Sequence, residues 1–250
     1  MGEESAASIG LHTAFQVFVV AVTSGMLIFF IFEFNKGNAS WEILFVSCVE
    51  SCVYLAIGTV PPELLPTFGP SKAPMIRYVS WMATCPILIK VTLGVVNKKM
   101  DSAVANKLIA ADILMNGMGL LSLLYVNMAT KLVLFGIGCI FALYIIKQIF
   151  SQWRMHLESL DQPEARRGIL LMVLFSWTIF PVLFLIGPET FQLMTQQTSM
   201  IFHACGDLVA KNFFSFCCWK VSNNSVKMKE DMKKQAVMEQ ELKAIANNVY

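Results

Sequence analysis

Residues 199–219 read "SMIFHACGDLVAKNFFSFCCW", an apolar run that carries Asp207 and Lys211 near its middle. As a helix it is long enough to cross a hydrocarbon core of about 30 Å. A charged side chain at that depth costs several kcal/mol on the order of even lenient scales, so the pair requires an explanation. Four positions apart, the two side chains lie on one helix face. One explanation is an internal salt bridge serving helix stability alone. A bare ion pair in a bilayer seldom recovers its desolvation cost, which weighs against it. The other is chemical: a lysine amine in a low-dielectric site can condense with an aldehyde to a Schiff base. The protonated imine then needs an anion, and Asp207, one turn nearer the N-terminal end of the span, has the reach to supply it. The apolar part of such an aldehyde suits an aromatic slot, which Trp81, Trp177 and Phe180 can provide, although aromatics at helical spacing also serve as plain core.

The rest of the chain agrees with a bilayer setting. Of its 250 residues 56% are hydrophobic and 14% charged, and the mean hydropathy is +0.61, outside the range of ordinary soluble domains. Seven apolar stretches near 13–34, 41–60, 75–96, 103–125, 130–151, 167–187 and 194–220 are separated by turn-forming segments such as "NKGNAS", "PPELLPTFGPSKAP", "NKKMDS" and "IGPET". Runs such as "LVLFGIGCIFALYII" are continuously apolar and lack the alternation of a β-barrel, so the expected fold is an all-α bundle of seven transmembrane helices.

Lys36, Lys98, Lys99, Arg154, Arg166, Arg167 and the lysines from Lys220 onward fall on one side, with Lys72 and Lys131 opposite. The positive-inside rule then places the N-terminus outside and the C-terminus in the cytoplasm. The expected division is a membrane domain over 1–221 and a cytoplasmic tail over 222–250, a solvated helix too short for an enzymatic domain. The N-terminus shows no removable signal peptide, and the "NAS" sequon at Asn38 falls on the cytoplasmic side. The seven cysteines lie in apolar segments without CxxC pairs and read as packing thiols. No catalytic constellation accompanies Lys211, so no enzymatic activity is expected, and nothing suggests nucleic-acid binding.

Three further charges sit in or at the spans: Glu50 in the second, Arg77 at the outer end of the third and Asp112 in the fourth. For Glu50 a protonated structural carboxyl and an ionised role both stand open. Arg77 alternatively snorkels to the headgroups.

An N-out bundle of seven spans with lysine in the last resembles the microbial rhodopsins. Within them "WEILFVSCVE" (41–50), "RYVSWMATCP" (77–86), "FSWTIFPVLFLIGPE" (175–189) and "GDLVAKN" (206–212) are similar to channelrhodopsins, the light-gated ion channels of algae. The resemblance runs from the first span to the seventh and implies all-trans-retinal on Lys211 with Asp207 as a counterion. It also implies a pocket lined by Ser80, Trp81, Thr84, Cys85, Met118, Trp177, Phe180 and Pro181. By the same resemblance Cys85 and Asp112 form a bridge that sets gate kinetics, and Glu50, Ser24 and Asn212 form a central constriction among spans one, two, three and seven. Arg77 organises the outer vestibule, and Tyr54 lies on the path-facing side of span two.

Two departures refine that expectation. Cation-conducting relatives carry a carboxylate where this chain has Ser80, which cannot take up a proton in the same way, so a fast outward proton pump is disfavoured. The path-facing side of span two continues past Glu50 with Val53, Tyr54 and Ile57 instead of further charges. Hydroxyls (Ser24, Ser47, Ser51, Ser80), the Asn212 amide, Arg77 and Lys90 are more hospitable to anions than to cations. The pairing of Ser80 with a lone Glu50 resembles anion-conducting channelrhodopsins of cryptophyte algae, although Asp112 stands where several of those have a small residue. Asp207 is thereby expected to be the main counterion. The expected function is a light-gated channel for chloride or similar small anions, in the cell membrane of a unicellular alga or similar protist. The resemblance also implies a homodimer in membrane lipid, without an intermolecular disulfide because no cysteine precedes Cys48. A light-gated cation channel, and a photosensor signalling to a partner through the tail, are the alternatives.

Overall fold

The computed structural model describes residues 6–60, 64–69, 73–96, 101–156 and 161–249. Lys72, Lys98 and Lys99, three of the charges used above for orientation, lie outside the described residues. The chain forms α1 (Ala6–Asn35), α2 (Trp41–Thr59), α3 (Met75–Val96), α4 (Ser102–Leu123), α5 (Met128–His156), α6 (Pro163–Ile186) and α7 (Gln196–Asp207). A π-helical turn over Leu208–Phe213 then leads into α8 (Phe214–Val249). Between α2 and α3, β1 (Thr67–Phe68) and β2 (Ala73–Pro74) make a two-residue antiparallel ladder, a small addition to the expected all-helical bundle.

Local sequence explains the helix ends. Asp101 caps α4 by accepting from the amide of Ala103, and Thr195 caps α7 by accepting from that of Thr198, satisfying amides that have no partner within the helix. Pro163 opens α6, where its missing N–H costs nothing. Gly37, with φ of 73°, turns the chain between α1 and α2. Pro86 and Pro181 lie inside α3 and α6, which membrane helices tolerate because neighbouring groups satisfy the freed carbonyls.

Among the described residues, six helices are long and apolar enough to cross a membrane: Thr13–Asn35 of α1, and α2 to α6. The seventh crossing, expected as one span over 194–220, is composite, because the π turn interrupts it at Lys211. The helix then runs on without a break through the expected boundary at 221, and residues 226–241 are exposed. Neighbouring helices pack side by side from α1 to α5 and again from α6 to α7, α3 also touches α5 and α6, and α7 closes the ring against α1.

The distribution of residues is the reverse of that in a water-soluble protein. Ile140, Leu143 and Phe175 are 65–68% exposed, whereas Glu50 and Asp112 are completely buried. That outer surface suits lipid. Inside, Phe30, Val46, Leu88, Val173 and Phe214 from five helices join in one cluster on the tail side. Ile89, Leu108, Ile145 and Leu170 form a second between α3, α4, α5 and α6. These layers fix the helices that carry the buried polar groups.

Candidate functional site

Lys211 is 2% exposed and sits in the π turn. A π turn holds one residue more than an α turn, which offsets the backbone locally. Its Nζ is 2.9 Å from Asp207 Oδ1 and donates to Glu50 Oε1 on α2 at 2.7 Å. Both carboxyl groups are buried, so the amine meets a carboxyl oxygen from each of two different helices. The sequence pointed to Asp207 as the main counterion. In the fold Glu50 approaches at least as closely, and Ser80, the expected weak point across the pocket, itself reaches Glu50 Oε1 at 3.5 Å. The cause is register: Glu50 and Tyr54, one turn apart on α2, face the same point of the seventh crossing.

Asp207 is the hub of this cluster. Its Oδ2 accepts from the Tyr54 hydroxyl at 2.7 Å and its Oδ1 from the Trp81 indole Nε1 at 3.2 Å. Such charge-assisted bonds hold an anion in place where water is excluded. Trp81 packs edge-on against Phe180, with ring centroids 4.9 Å apart. His203 stacks on Trp81 at 5.9 Å and lies 6.0 Å from Phe180. Gly206 permits this wall, because a Cβ there would come within 3.1 Å of the Phe180 ring. His203 was not among the sequence candidates. Its spacing of four from Asp207 and eight from Lys211 on one helix face was the available signal. Its Nδ1 is anchored 2.8 Å from the carbonyl of Ser199.

The remaining candidates lie on α1, α3, α4, α6 and the π turn. Thr84 is buried and donates to the carbonyl of Ser80, and Ser80 to that of Arg77, so both hydroxyls are tied within α3, with Ser80 beside Glu50. Trp177, half-buried, packs against both interior clusters from α6, one turn from Pro181. Met118 lies on α4 opposite Gly138 of α5, at 3.6 Å from the position of a Cβ there. Asp112 accepts from Asn116 within its own helix through Oδ1, while its Oδ2 has no hydrogen-bond partner. The expected Cys85–Asp112 bridge is therefore not closed among the described residues.

Ser24 meets Ser51 at 3.2 Å, joining α1 to α2. Asn212 is 3% exposed, and among the described residues both its amide atoms are unpartnered, as are Glu50 Oε2 and Arg77 Nη1. Arg77 forms no ion pair among the described residues, so it does not clamp a vestibule carboxylate directly. Lys90, expected to add positive potential, is paired with Glu42 at 2.8 Å beside Trp41, which cancels much of its charge. On the N-terminal side, Glu189 is buried between α6 and α7, and Lys131 donates to its backbone carbonyl. Burial pushes the Glu189 carboxyl above its ordinary range, against the opposing effects of its own backbone, Arg77 and Lys131.

A family model described as bacteriorhodopsin-like protein matches residues 10–225. This chain belongs to that family. With its apolar helices, this makes the rhodopsin a multi-pass membrane protein. Cruxhalorhodopsin-3 of Haloarcula vallismortis and a halorhodopsin of Halobacterium halobium are each 25% identical to it over 154 residues, 60% of this chain and 55% of theirs. The match thus spans just over half the length of these curated relatives. Among solved structures, the red light-activated channelrhodopsin Chrimson aligns with a TM-score of 0.77 at 20% identity, covering 88% of this chain and 79% of that one. The thermophilic rhodopsin of Rubrobacter xylanophilus gives 0.74 at 19%, over 85% and 97% of the two chains. Halorhodopsin, a light-driven chloride pump, gives 0.70 at 19%, over 86% and 96%. At these identities the likeness establishes the fold.

Membership implies a retinal chromophore, and the donor set suits it. Lys211 offers a buried primary amine with anions already placed about it, which matches the charge of a protonated imine. Trp81, Phe180 and Trp177 offer the apolar ring surface that a polyene requires.

Proposed function

We propose that this rhodopsin is a light-gated channel for chloride and similar small anions, with all-trans-retinal held on Lys211. When bound, the chromophore supplies absorption of visible light and a change of shape. The residues of the chain supply the path and its closure.

The observation that carries this reading is a series of buried polar atoms without partners along the contact of α1, α2, α3 and the seventh crossing. From the N-terminal side these are Arg77 Nη1, Glu50 Oε2, the Asn212 amide and Ser47 Oγ. A small cavity of about 20 Å³ between Arg77, Tyr54, Gln16 and Ala204 lies at one end. A cavity of about 430 Å³ bounded by Ile43, Lys90, Arg166 and Cys218 lies at the other. Polar atoms left unmatched inside a membrane protein are costly unless water or an ion visits them. Three contacts close the series: Tyr54 to Asp207, Glu50 to Lys211, and Ser24 to Ser51. Each has one partner on α2, so movement of α2 relative to α1 and the seventh crossing opens them together.

Anions are favoured because, among the described residues, the carboxylates of the closed middle, Glu50 and Asp207, hold Lys211, Tyr54 and Trp81 and leave only Glu50 Oε2 open, whereas Arg77 adds an unmatched cationic donor at the entrance. Whole-cell recording under light tests the reading. The photocurrent is expected to reverse at the chloride equilibrium potential and to move with it when bath chloride is replaced. A reversal that follows sodium or protons would refute it.

The curated relatives are halorhodopsins, and one solved neighbour is described as a light-driven chloride pump, which makes an inward chloride pump the second reading. A pump current keeps its sign across the chloride equilibrium potential, so the same recording separates the two.

A further inference from the structure

Buried hydroxyls in these helices usually satisfy themselves. Thr23, Thr84, Thr92, Ser176 and Ser225 each donate to a carbonyl three or four residues earlier. Ser47 does not: it is 1% exposed and its Oγ has no partner. Asn212, 3% exposed, leaves both amide atoms unmatched, and Glu50 leaves Oε2.

Their places in the fold relate these three residues. Ser47 and Glu50 are one turn apart on the same face of α2. Glu50 is bonded to Lys211, and Asn212 is the next residue of the π turn. Because α2 starts at the tail end and the seventh crossing runs toward it, Ser47 and Asn212 both lie on the tail side of the Lys211–Glu50 pair. Ile43, one turn before Ser47, already lines the large tail-side cavity, as does Cys218 of α8.

We propose that the Ser47 hydroxyl and the Asn212 side-chain amide form a coordination step for a small monovalent anion of the halide or nitrate class, between the Lys211 site and the tail-side cavity, and that Ser47 helps to set which anions pass. The proposal rests on the channel reading above. An O–H and an N–H₂ donate hydrogen bonds without a fixed charge, so they replace part of an anion's hydration shell and still release it. The same residues also present oxygens, and a cation step is the outcome that would contradict the assignment.

The experiment measures photocurrent reversal potentials with bath chloride exchanged for nitrate or bromide, in wild type, Ser47→Ala and Ser47→Thr, alongside the visible absorption of each pigment. Ser47 forms no hydrogen bond to Lys211 among the described residues, so Ser47→Ala is expected to keep the visible band. Loss of one hydrogen-bond donor is expected to raise the nitrate-to-chloride permeability ratio about fivefold, because the more strongly hydrated chloride depends more on that donor. Ser47→Thr, which keeps the hydroxyl, is expected to stay near wild type. Should Ser47→Ala give no pigment, Ser47→Cys, nearly isosteric and a weak donor, reads the same ratio. An unchanged ratio with chloride currents intact overturns the role of Ser47 and leaves the channel reading standing. A wild-type reversal potential that follows sodium overturns both.

Discussion

Tyr54→Phe isolates one bond between α2 and the seventh crossing. The Tyr54 hydroxyl donates to Asp207 Oδ2 at 2.7 Å, and the two residues are 7% and 2% exposed, so water does not replace the donor. Phenylalanine keeps the ring in its cluster with Val19, Val53, Ile57 and Ala204, and only one oxygen is lost. Asp207 Oδ2 then has no donor among the described residues, while Oδ1 keeps Trp81 and Lys211. A buried hydrogen bond to a charged acceptor contributes about 2 kcal/mol, so the loss should be close to that amount. If the rhodopsin is the channel proposed above, the bond joins helices that separate for conduction, and the closed state should lose the same bias, a factor of about 30 in the closed-to-open equilibrium. Equilibrium unfolding of the pigment in mixed detergent measures the first quantity, and photocurrent decay after a flash the second, where slower closing is expected. Unfolding free energy unchanged to within about 0.5 kcal/mol together with wild-type closing would refute the reasoning.

Lys211→Ala should abolish the visible band, and a surviving band would reject Lys211 as the attachment point. Arg166, 3% exposed, donates to Val95 O at 2.6 Å, to Asp161 Oδ1 at 2.6 Å and to Ser225 Oγ at 3.4 Å, joining α3, α6 and α8. Arg166→Met should therefore cost about 3 kcal/mol in the unfolding assay, and Arg166→Lys should recover part of it, since an ammonium cannot match the forked geometry. Near-wild-type stability of the methionine variant would show that the clasp contributes nothing. Glu189 has a raised carboxyl pKa in the folded state, so the folded protein binds the proton more tightly than the unfolded chain. Its contribution to stability is thus most favourable below the ordinary value of 4.5 and declines as pH rises through the folded value. Glu189→Gln should flatten this decline in thermal midpoints measured on the acid side of neutrality, and parallel pH profiles would refute the assignment.

The helices were legible because a bilayer makes each one declare itself locally: length, apolar content and turn residues fall within the segment that folds. The buried lysine was legible for the same reason, since a charge within an apolar run stands out without reference to any other helix. Glu50 was visible as a buried carboxylate, but its contact with Lys211 was not, because that depends on the rotation of α2 against the seventh crossing. The π turn was hidden as well. No residue type marks it, and "DLVAKNF" reads as ordinary helix until packing on both sides offsets the backbone. Lys90 illustrates the opposite error: counted from the sequence it is a free positive charge, and only the packing of α2 beside α3 brings Glu42 to it.

The amino-acid sequence by itself thus determined a helical membrane bundle, its seven crossings and a buried amine with a carboxylate one turn away, because these follow from hydrophobicity and spacing along a single segment. Only the tertiary structure decided that a second carboxylate completes the amine's surroundings, that Tyr54 and Trp81 anchor Asp207, and that Ser47 and Asn212 are left without partners. Those facts concern side chains from different helices, and their meeting is set by the register and rotation at which the helices pack.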